Sequence, residues 1–502
     1  MVESIKVKWW SVNKAKQQHF QSFKIWKCCL ITSNKMKNKI LKSILIFTIA
    51  IIGFSDSLVA QKIAGGNGHS LSICSDNTIR AWGDNGLGQL GNGTITPSNV
   101  PVSVSSLTGV IAIAAGSMYS HALKNDGTVW SWGDNTYGHH GNGTNTVSFV
   151  PIQVSGLSGA IAIAAGLNHS LALKNDGTVW SWGRNTTGQL GNGTTTNSNL
   201  PVQVNGLSGI IAISAGRNHS IALKNDGTVW AWGQNNYSQL GNGTTGGISN
   251  IPVQVNSITG ITAITGGAEH CLALKNDSTV WAWGNNFYGE LGNGANKQSN
   301  VPVSVISLTS VTAIAAGGLG YHSLALKNDG TVRAWGFNGS GQLGNGTLTN
   351  TNVPILVTSL TGIIGIAGNN RHSISQKNDL TIQTMGMNSS GQLGNGTYTN
   401  SNLPVQVKGL CVNSTAIQDN LLENLVSVYP NPTIGIVTIS STEAIASIDV
   451  FDVTGKLVYS QQNNNKQTNS SLDLSNLSNG IYFIHVHTEN GGVRKSKVVV
   501  SK

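Results

Sequence analysis

The sequence is poor in cysteine, and this shortage excludes two classes of small stabilised domain. Of the five cysteines, two lie within the first 60 residues, and Cys74, Cys271 and Cys411 follow at wide spacing. An odd number of widely spaced cysteines is typical neither of a disulfide framework nor of a zinc knuckle. We therefore expect the three to be unpaired structural residues.

Net charge is also scarce outside the start of the chain. The whole sequence carries a net charge of +10, but residues 1–60 hold ten lysines against Glu3 and Asp56, a net of +8. The difference, 10 − 8, leaves +2 for residues 61–502. A nearly neutral body gives no reason to expect nucleic acid or an acidic surface as a partner.

The basic start of the chain has the order of a secretory leader. Lysines precede a short apolar run at 44–54, and the small residue Ala60 is followed by Gln61. This order predicts a signal peptide at residues 36–60, cut between Ala60 and Gln61, and the run is too short to span a bilayer comfortably. Residues 1–35 are interpreted as an extension from a start codon assigned too far upstream. A real cytoplasmic extension or an uncleaved anchor is the alternative.

Residues 61–410 consist of seven copies of one repeat. A Trp-Gly pair recurs every 50 to 52 residues, and Met385 replaces the tryptophan in the seventh copy. The six tryptophans are Trp82, Trp132, Trp182, Trp232, Trp283 and Trp335. A proline and a Gly-Asn-Gly turn keep the same register, so the fixed period indicates a repeat architecture.

Each copy contains four short strand patterns. In the third copy they are 161–165, 169–173, 178–182 and 201–204. Alternating side chains and the Asp176-Gly177 turn are typical of hairpins, and Pro201 fits the start of an edge strand. Four strands make a blade, and seven blades close into a ring without long exposed edges. The sequence thus predicts an all-β, seven-bladed β-propeller. A right-handed β-solenoid is the competitor, but its coils are shorter.

A closed ring has consequences for residues near its ends and for those repeated in each blade. It would bring Cys74 and Cys411 together, so a bridge between them remains an alternative to unpaired cysteines.

One histidine per copy recurs, with Tyr119 in the second copy; the six are His69, His169, His219, His270, His322 and His372. A metal site or proton relay is one reading, but no acidic residue or cysteine recurs beside them at ligand spacing. We expect them to tie neighbouring blades together through ring N–H bonds.

Motifs for cofactors or catalysis are missing from the sequence. No Gly-Lys-Ser/Thr follows the Gly-Asn-Gly turns, and there is no nucleophile elbow or zinc-binding helix. We therefore expect no cofactor, no metal and no enzyme activity.

The repeat resembles a known family. Its pattern Ala-Gly-x-x-His-Ser-Leu-Ala-Leu, then Asp-Gly-Thr-Val-Trp-x-Trp-Gly and Gly-Gln-Leu-Gly-Asn-Gly, is similar to the regulator of chromosome condensation repeat. The resemblance implies a seven-bladed propeller that usually serves as a protein-binding platform. Relatives exchange nucleotide on a nuclear GTPase, sense ultraviolet light through clustered tryptophans, or inhibit β-lactamase. A signal peptide separates this chain from small GTPases, and its tryptophans lie in scaffold strands, which weakens light sensing.

The end of the chain departs from the repeat. Residues 411–424 are polar and are predicted to be a linker, and residues 425–502 show short strands typical of a small Ig-like β-sandwich. Their motifs resemble the C-terminal sorting domain of the Por (type IX) secretion system of Bacteroidetes-like bacteria. The residues that carry this resemblance are Asn431, Pro432, Gly455, Lys456, Gly480, Tyr482 and Lys495. It implies the type IX machinery and its sorting peptidase as partners, with the product released or attached to the cell surface. An Ig-like adhesion module that stays on the protein is the alternative.

Function is expected where the copies differ, because the shared residues maintain the scaffold. The variable positions lie just before the histidine strand and in the loop after Trp-Gly. The candidate ligand contacts are Tyr137, His140, Arg184, Arg217, Tyr237, Glu269, Phe287, Tyr288, Glu290, Phe337 and Arg371. Aromatic and arginine side chains on loops anchor protein interfaces and stack on sugars. The sequence therefore favours a secreted, non-catalytic platform for a protein or glycan. Three alternatives remain: unselected sequence variation of the loops together with packing between blades, an enzyme acting on polysaccharide, and a β-lactamase-type inhibitor.

Overall fold

The computed structural model describes residues 62–411, 426–441, 443–463, 466–490 and 492–502. The chain divides into two compact units at the boundary between Cys411 and Val412. Within the described ranges, no helix has the length and apolar character needed to cross a bilayer. The predicted leader, including the Ala60–Gln61 cut, lies outside the described residues, as does most of the predicted linker.

The first unit contains seven sheets of four antiparallel strands, each in sequence order. The first three blades are β1 Ile63–Gly65, β2 His69–Ile73, β3 Ile79–Gly83, β4 Ser98–Ser103; β5 Val110–Ala115, β6 Tyr119–Lys124, β7 Val129–Gly133, β8 Ser148–Gln153; and β9 Ala160–Ala165, β10 His169–Lys174, β11 Val179–Gly183, β12 Ser198–Gln203. The fourth and fifth are β13 Ile210–Ala215, β14 His219–Lys224, β15 Val229–Gln234, β16 Ile248–Gln254; and β17 Ile261–Gly266, β18 His270–Lys275, β19 Val280–Gly284, β20 Ser299–Ser304. The last two are β21 Val311–Ala316, β22 His322–Lys327, β23 Val332–Gly336, β24 Thr351–Leu356; and β25 Ile363–Gly368, β26 His372–Lys377, β27 Ile382–Gly386, β28 Ser401–Gln406.

The blades form a closed ring. The first strand of each blade contacts the first strands of its two neighbours, and β25 of the seventh blade contacts β1 of the first. This arrangement confirms the seven-bladed propeller and excludes the solenoid. All four strands of the first and seventh blades come from continuous chain, so no strand is exchanged to close the ring.

The fourth strand differs from its prediction. Pro201 is the fourth residue of β12, which begins at Ser198, and does not open the strand. The register between β11 and β12 shifts between Ser181 and Gly183, and Pro201 lies in the shifted stretch. A proline lacks the N–H that a regular ladder needs, so it is tolerated at an irregular edge position.

A buried tryptophan from each of six blades packs against the preceding blade. Trp132 of the second blade is fully buried in a cluster with Leu71 and Ile79 of the first. Its indole Nε1 donates to the main-chain oxygen of Gln89, 2.9 Å away. Because burying a tryptophan also requires a partner for its N–H, this carbonyl fixes how two blades meet.

The same carbonyl accepts a second hydrogen bond, which explains the repeated histidines. Ser120 Oγ donates to the Gln89 oxygen at 2.9 Å, and His69 Nε2 lies 2.9 Å from Ser120 Oγ. Since the serine proton is directed to the carbonyl, the histidine donates from Nε2. Burial lowers the pKa of His69 to about 4, so the ring is neutral at ordinary pH. Each such buried bond contributes on the order of 1 kcal/mol. The equivalent histidines of the other blades contact the serine at the same position of the next blade, or Cys271 in the case of His219. His372 of the seventh blade contacts Ser70 of the first blade and so closes the ring.

The second blade keeps this contact by a different route. Tyr119 replaces the histidine and its hydroxyl donates to the main-chain oxygen of His169 at 2.6 Å. His121, two residues later on the same face of β6, then lies 2.6 Å from Ser170 Oγ. One strand therefore preserves the serine contact although its consensus histidine is missing.

The ring is closed by a disulfide, which corrects the expectation of unpaired cysteines. Cys74 and Cys411 are bonded, with Cα atoms 5.4 Å apart across a sequence separation of 337 residues. Cys411, predicted as the first linker residue, therefore belongs to the propeller unit. Only Cys271 is free among the described residues, and it is buried in the position that holds serine in the other blades.

The second unit is a two-sheet sandwich. One sheet has the order β29-β30-β33 and the other β32-β31-β34-β35. The strands are β29 Val426–Tyr429, β30 Ile436–Ser441, β31 Ile445–Phe451, β32 Leu457–Gln462, β33 Asn469–Asp473, β34 Gly480–Thr488 and β35 Val493–Val500. Val437 and Ile439 from one sheet pack with Ile448 and Ile484 from the other. β33 is mostly polar, so its sequence gives little strand signal.

Replacing both Cys74 and Cys411 by serine should lower the free energy of unfolding by about 2–5 kcal/mol, because the cross-link restricts a long segment of the unfolded chain. Urea denaturation of the full-length chain measures this. Cys271→Ser is the matched control and should leave stability nearly unchanged, since serine fills that position in other blades. Equal denaturation midpoints for the double variant and the wild type would contradict the prediction.

Acid should unfold the propeller. Burial lowers the pKa of eight histidines from 6.5 to about 3 or 4; they are His69, His121, His140, His169, His219, His270, His322 and His372. Between pH 6.5 and 4 the unfolded chain binds protons that the folded chain does not, so stability falls as pH falls, by up to about 1.4 kcal/mol per pH unit for each histidine.

Thermal unfolding followed across this pH range measures the effect. His140→Leu introduces the leucine that the other six blades have at this position. It should reduce the dependence of stability on pH by the contribution of one histidine. A melting temperature independent of pH between 6.5 and 4 would show the prediction to be wrong.

Candidate functional site

The two variable stations of the repeat lie at the same end of every blade. His169 at the start of β10 pairs with Gly183 at the end of β11, so the turn before the second strand faces the loop after the third. The structure therefore brings together residues that are about 15 positions apart in each copy. The variable side chains of both stations therefore lie on one face of the ring.

On this face, an aromatic cleft of about 390 Å³ crosses the fourth, fifth and sixth blades. We use the name aromatic cleft for the pocket lined by Tyr237, Glu269, Asn285, Phe287, Tyr288, Asn296, Gln298 and Tyr321. Tyr237 is 41% exposed and Phe287 is 71% exposed, so both rings are open to a ligand. The volume lies in the range of small-ligand sites.

Tyr288 is the centre of the aromatic contacts. Its ring centroid lies 4.9 Å from that of Phe287, 4.9 Å from that of Phe337 and 5.8 Å from that of Tyr321. Edge-to-face and tilted contacts of this kind hold rings in fixed orientations. Three loops from two blades are thereby packed together. Phe337 contacts Tyr288 but does not itself line the cleft.

Charged groups lie along one side of the cleft. Arg217 Nη1 donates to the hydroxyl of Tyr321 at 3.3 Å, and Asn285 Nδ2 donates to Glu269 Oε2 at 3.0 Å. Burial raises the pKa of the Glu269 carboxyl, and burial together with the Glu269 charge raises the pKa of Tyr321. The tyrosine is therefore a neutral hydrogen-bonding group at ordinary pH.

Glu290 lies under the cleft and does not reach the surface, contrary to its prediction as an exposed rim residue. The side chain is fully buried, and its Oε2 accepts the main-chain N–H of Tyr288 at 2.8 Å. Its Oε1 is buried without a hydrogen-bond partner. Burial raises the pKa of Glu290 to about 7, although main-chain hydrogen bonds oppose the shift. Five of the other copies place glutamine here, so this carboxyl is particular to the fifth blade.

The remaining predicted contacts lie outside the cleft. Arg184 stacks over the ring of Tyr137 at 5.4 Å between the second and third blades, and Arg371 lies 6.0 Å from the ring of Phe337. His140 is fully buried in the position of a core leucine, with Nδ1 2.6 Å from Ser131 Oγ, so its expected exposure is wrong. Tyr137 occupies the same position of the repeat as Tyr288, but it contacts Arg184 and does not line the aromatic cleft.

Sequence reasoning missed Tyr321 and the three lining amides Asn285, Asn296 and Gln298. A signal for Tyr321 was present, because the sixth copy is longer just before its histidine and this tyrosine lies in the extra segment. The amides gave no such signal, since asparagine is common throughout these loops.

In the second unit, the predicted sorting motif residues stabilise the sandwich. Asn431 Nδ2 donates to the Lys497 oxygen at 2.7 Å, and its Oδ1 accepts the Val499 N–H at 2.9 Å. Gly455 has the positive φ of 83° that its turn requires, and Asp452 accepts the Lys456 N–H. The Tyr482 hydroxyl donates to the Ser478 oxygen four residues upstream, as in a tyrosine corner. Pro432 follows Asn431 and Gly480 begins β34, while the side chain of Lys495 is outside the described part.

No group of three or more His, Cys, Asp or Glu side chains is placed to hold a metal ion in the part of the chain that the structure describes.

Comparisons with known proteins agree with the two units. The family model of the RCC1-like domain matches residues 44–358, and the model of the regulator of chromosome condensation (RCC1) repeat matches residues 382–418. The model of the secretion system C-terminal sorting domain, the Por secretion tail, matches residues 427–501 and indicates export.

Solved structures share the fold at low sequence identity. Yeast RCC1 (Prp20), solved bound to Kap60, is 22% identical, with a TM-score of 0.59 and coverage of 67% of this chain and 83% of that chain. Human WBSCR16 is 24% identical, with a TM-score of 0.58 and coverage of 65% and 93%. Prp20p from Saccharomyces cerevisiae, whose binding to Gsp1p and histones has been studied, is 22% identical, with a TM-score of 0.57 and coverage of 67% and 86%. These likenesses show the propeller fold and no more.

Glu290→Gln should stabilise the protein above neutral pH. The folded pKa of Glu290 is about 7 against a usual 4.5, so ionisation costs folding free energy as pH rises through this interval. The variant should be about 1–3 kcal/mol more stable than the wild type near pH 8, and the difference should vanish near pH 4. Urea denaturation at both pH values measures it.

Gln342→Glu, the reciprocal change at the same position of the sixth blade, is the matched control and should destabilise near pH 8 only. A Glu290→Gln variant less stable than the wild type near pH 8 would contradict the role of burial.

Proposed function

The chain belongs to the RCC1-like domain family, and from this premise we propose that it is an exported, non-catalytic binding platform that recognises an extracellular protein or glycan. The aromatic cleft is the proposed ligand site. The observation that carries this proposal is the convergence of Tyr237, Phe287, Tyr288 and Tyr321 from three blades into one open pocket. Clustered aromatic side chains with polar neighbours are the usual anchors of binding surfaces.

Scaffold and cleft use different residues, which supports a binding role. The repeated tryptophan and the repeated histidine, each present in six of the seven blades, are buried in inter-blade contacts. In contrast, the equivalents of Tyr288 include leucine, threonine and serine in other blades, so the ring stacking is not needed to build a blade. Exposure of Phe287 and Tyr237 has no packing explanation within the propeller unit.

The route of export is part of the proposal. The signal peptide at residues 36–60 would be cut between Ala60 and Gln61, and the C-terminal sorting domain would then engage the type IX machinery and its sorting peptidase. The Cys74–Cys411 disulfide supports passage through an oxidising compartment, where such bonds persist. The mature protein would be released or attached to the cell surface.

A second candidate is an enzyme acting on polysaccharide, because two carboxyl groups with raised pKa values lie at the cleft. Against it, Glu290 is fully buried, whereas a general acid must reach its substrate. Release of reducing ends from a panel of polysaccharides, abolished by Glu269→Gln, would favour the enzyme. The β-lactamase inhibitor alternative has no specific support in the cleft, and an inhibition assay with the same sample tests it.

The binding proposal predicts that the cleft captures an extracellular ligand. Full-length chain immobilised on beads should retain a protein from culture medium or bind a glycan on an array. Tyr237→Ala, Phe287→Ala and Tyr288→Ala, combined, should weaken that binding by at least about 100-fold, because truncating anchor residues commonly costs 2 kcal/mol or more each.

Tyr137→Ala is the matched control, since it removes the equivalent tyrosine of the second blade and leaves the cleft intact. Retention of every captured ligand by the triple variant, with its fold preserved, would exclude the cleft as the site.

A further inference from the structure

The aromatic cleft is lined by four aromatic residues, one carboxyl and three amides. Two of its amide groups are already engaged: Asn285 Nδ2 donates to Glu269, and Asn296 Nδ2 donates to the main-chain oxygen of Phe287 at 3.2 Å. The Asn285 Oδ1 and the Asn296 Oδ1 also accept bonds, from Phe287 N and Asn352 Nδ2. The Gln298 amide and three tyrosine hydroxyls also belong to the lining, and Glu269 is the one charged group among the lining residues.

The four aromatic residues and the single carboxyl of the cleft favour one ligand chemistry. An organic ammonium presents only positive charge and N–H or C–H groups, and aromatic faces with a nearby carboxylate match it. Four aromatic residues and one carboxyl line the cleft together and fit this requirement.

A buried carboxyl beside the cleft is a second, independent observation. Glu290 Oε2 accepts the Tyr288 N–H, which places this carboxyl against the main chain of the central ring, and its Oε1 has no partner. The Glu269 charge acts on Glu290 in the direction expected for two carboxylates that repel each other. A cation in the cleft would relieve the repulsion. The neighbouring Arg217 opposes it and sets a limit to the affinity.

We propose that the aromatic cleft binds an organic ammonium group, with the ring faces of Tyr237, Phe287, Tyr288 and Tyr321 and the carboxyl of Glu269 as its contacts. This inference rests on the proposed binding function and names the chemistry of the ligand. The ammonium group would come from a lysine side chain of a partner protein or from a small quaternary amine, which share this chemistry.

The test compares charged and neutral ligands of one shape. Binding of choline and of its uncharged carbon isostere 3,3-dimethylbutanol to the full-length chain is measured by calorimetry. Choline should bind about threefold to tenfold more tightly, since the aromatic rings and the Glu269 carboxyl attract a cation and not its neutral isostere. Peptides with lysine or trimethyllysine form a second arm, and binding of either peptide more tightly than choline would identify a protein side chain as the source.

Variants connect the preference to the cleft. Glu269→Gln keeps an acceptor for Asn285 and should lower choline affinity about tenfold, whereas Arg217→Gln should raise it severalfold because a competing positive charge is removed. Tyr137→Ala is the matched control and should change nothing.

The outcomes separate this inference from the binding proposal. Equal affinity for choline and its isostere, or no effect of Glu269→Gln, overturns the ammonium site. If glycans or neutral peptides still bind and Tyr288→Ala abolishes that binding, the platform survives with a different ligand. If no ligand of any class depends on the cleft, the platform and the ammonium site both fail.

Discussion

The main-chain carbonyl at the end of each Trp-Gly loop holds one blade against the next. In the first blade it is the oxygen of Gln89, which accepts from Trp132 Nε1 and Ser120 Oγ of the second blade. Because the tryptophan and serine are buried, losing this acceptor would leave two donors without partners. The loop must therefore keep one backbone path in every blade, even where its exposed side chains change.

This constraint explains how the ligand face can vary. The loop that presents Tyr288 also supplies the main-chain oxygen of Glu290, to which Trp335 Nε1 donates at 2.7 Å. Side chains that point away from the neighbouring blade are free to differ, whereas the backbone beneath them is fixed by the ring. A binding surface built on such loops is rigid at its base, which reduces the ordering cost of binding a ligand.

Much of the fold could be predicted from the sequence because the repeat reports the same strands seven times. The errors lie where one residue's environment depends on another blade. His140 and Glu290 occupy variable loop positions but point inward, into places that a leucine and a glutamine fill in other copies. The Cys74–Cys411 bond joins residues 337 positions apart with Cα atoms 5.4 Å apart, and ring closure allowed this pairing without requiring it. Tyr321 was missed because its segment is an insertion that the repeat does not describe.

The sequence by itself determined the period, the four-strand blade and the separation of shared from variable residues, because these depend on local patterns of side chains. The family resemblance of each unit also follows from local motifs, in the repeat for the first unit and in residues 425–502 for the second. Only the tertiary structure decided which variable side chains meet, since neighbours around the ring are about 50 residues apart along the chain. It likewise decided which of the three equivalent tyrosines, Tyr137, Tyr237 and Tyr288, line a cleft. Tyr288 stacks among the rings of two blades, whereas Tyr137 pairs with an arginine elsewhere on the ring, and no local pattern distinguishes them.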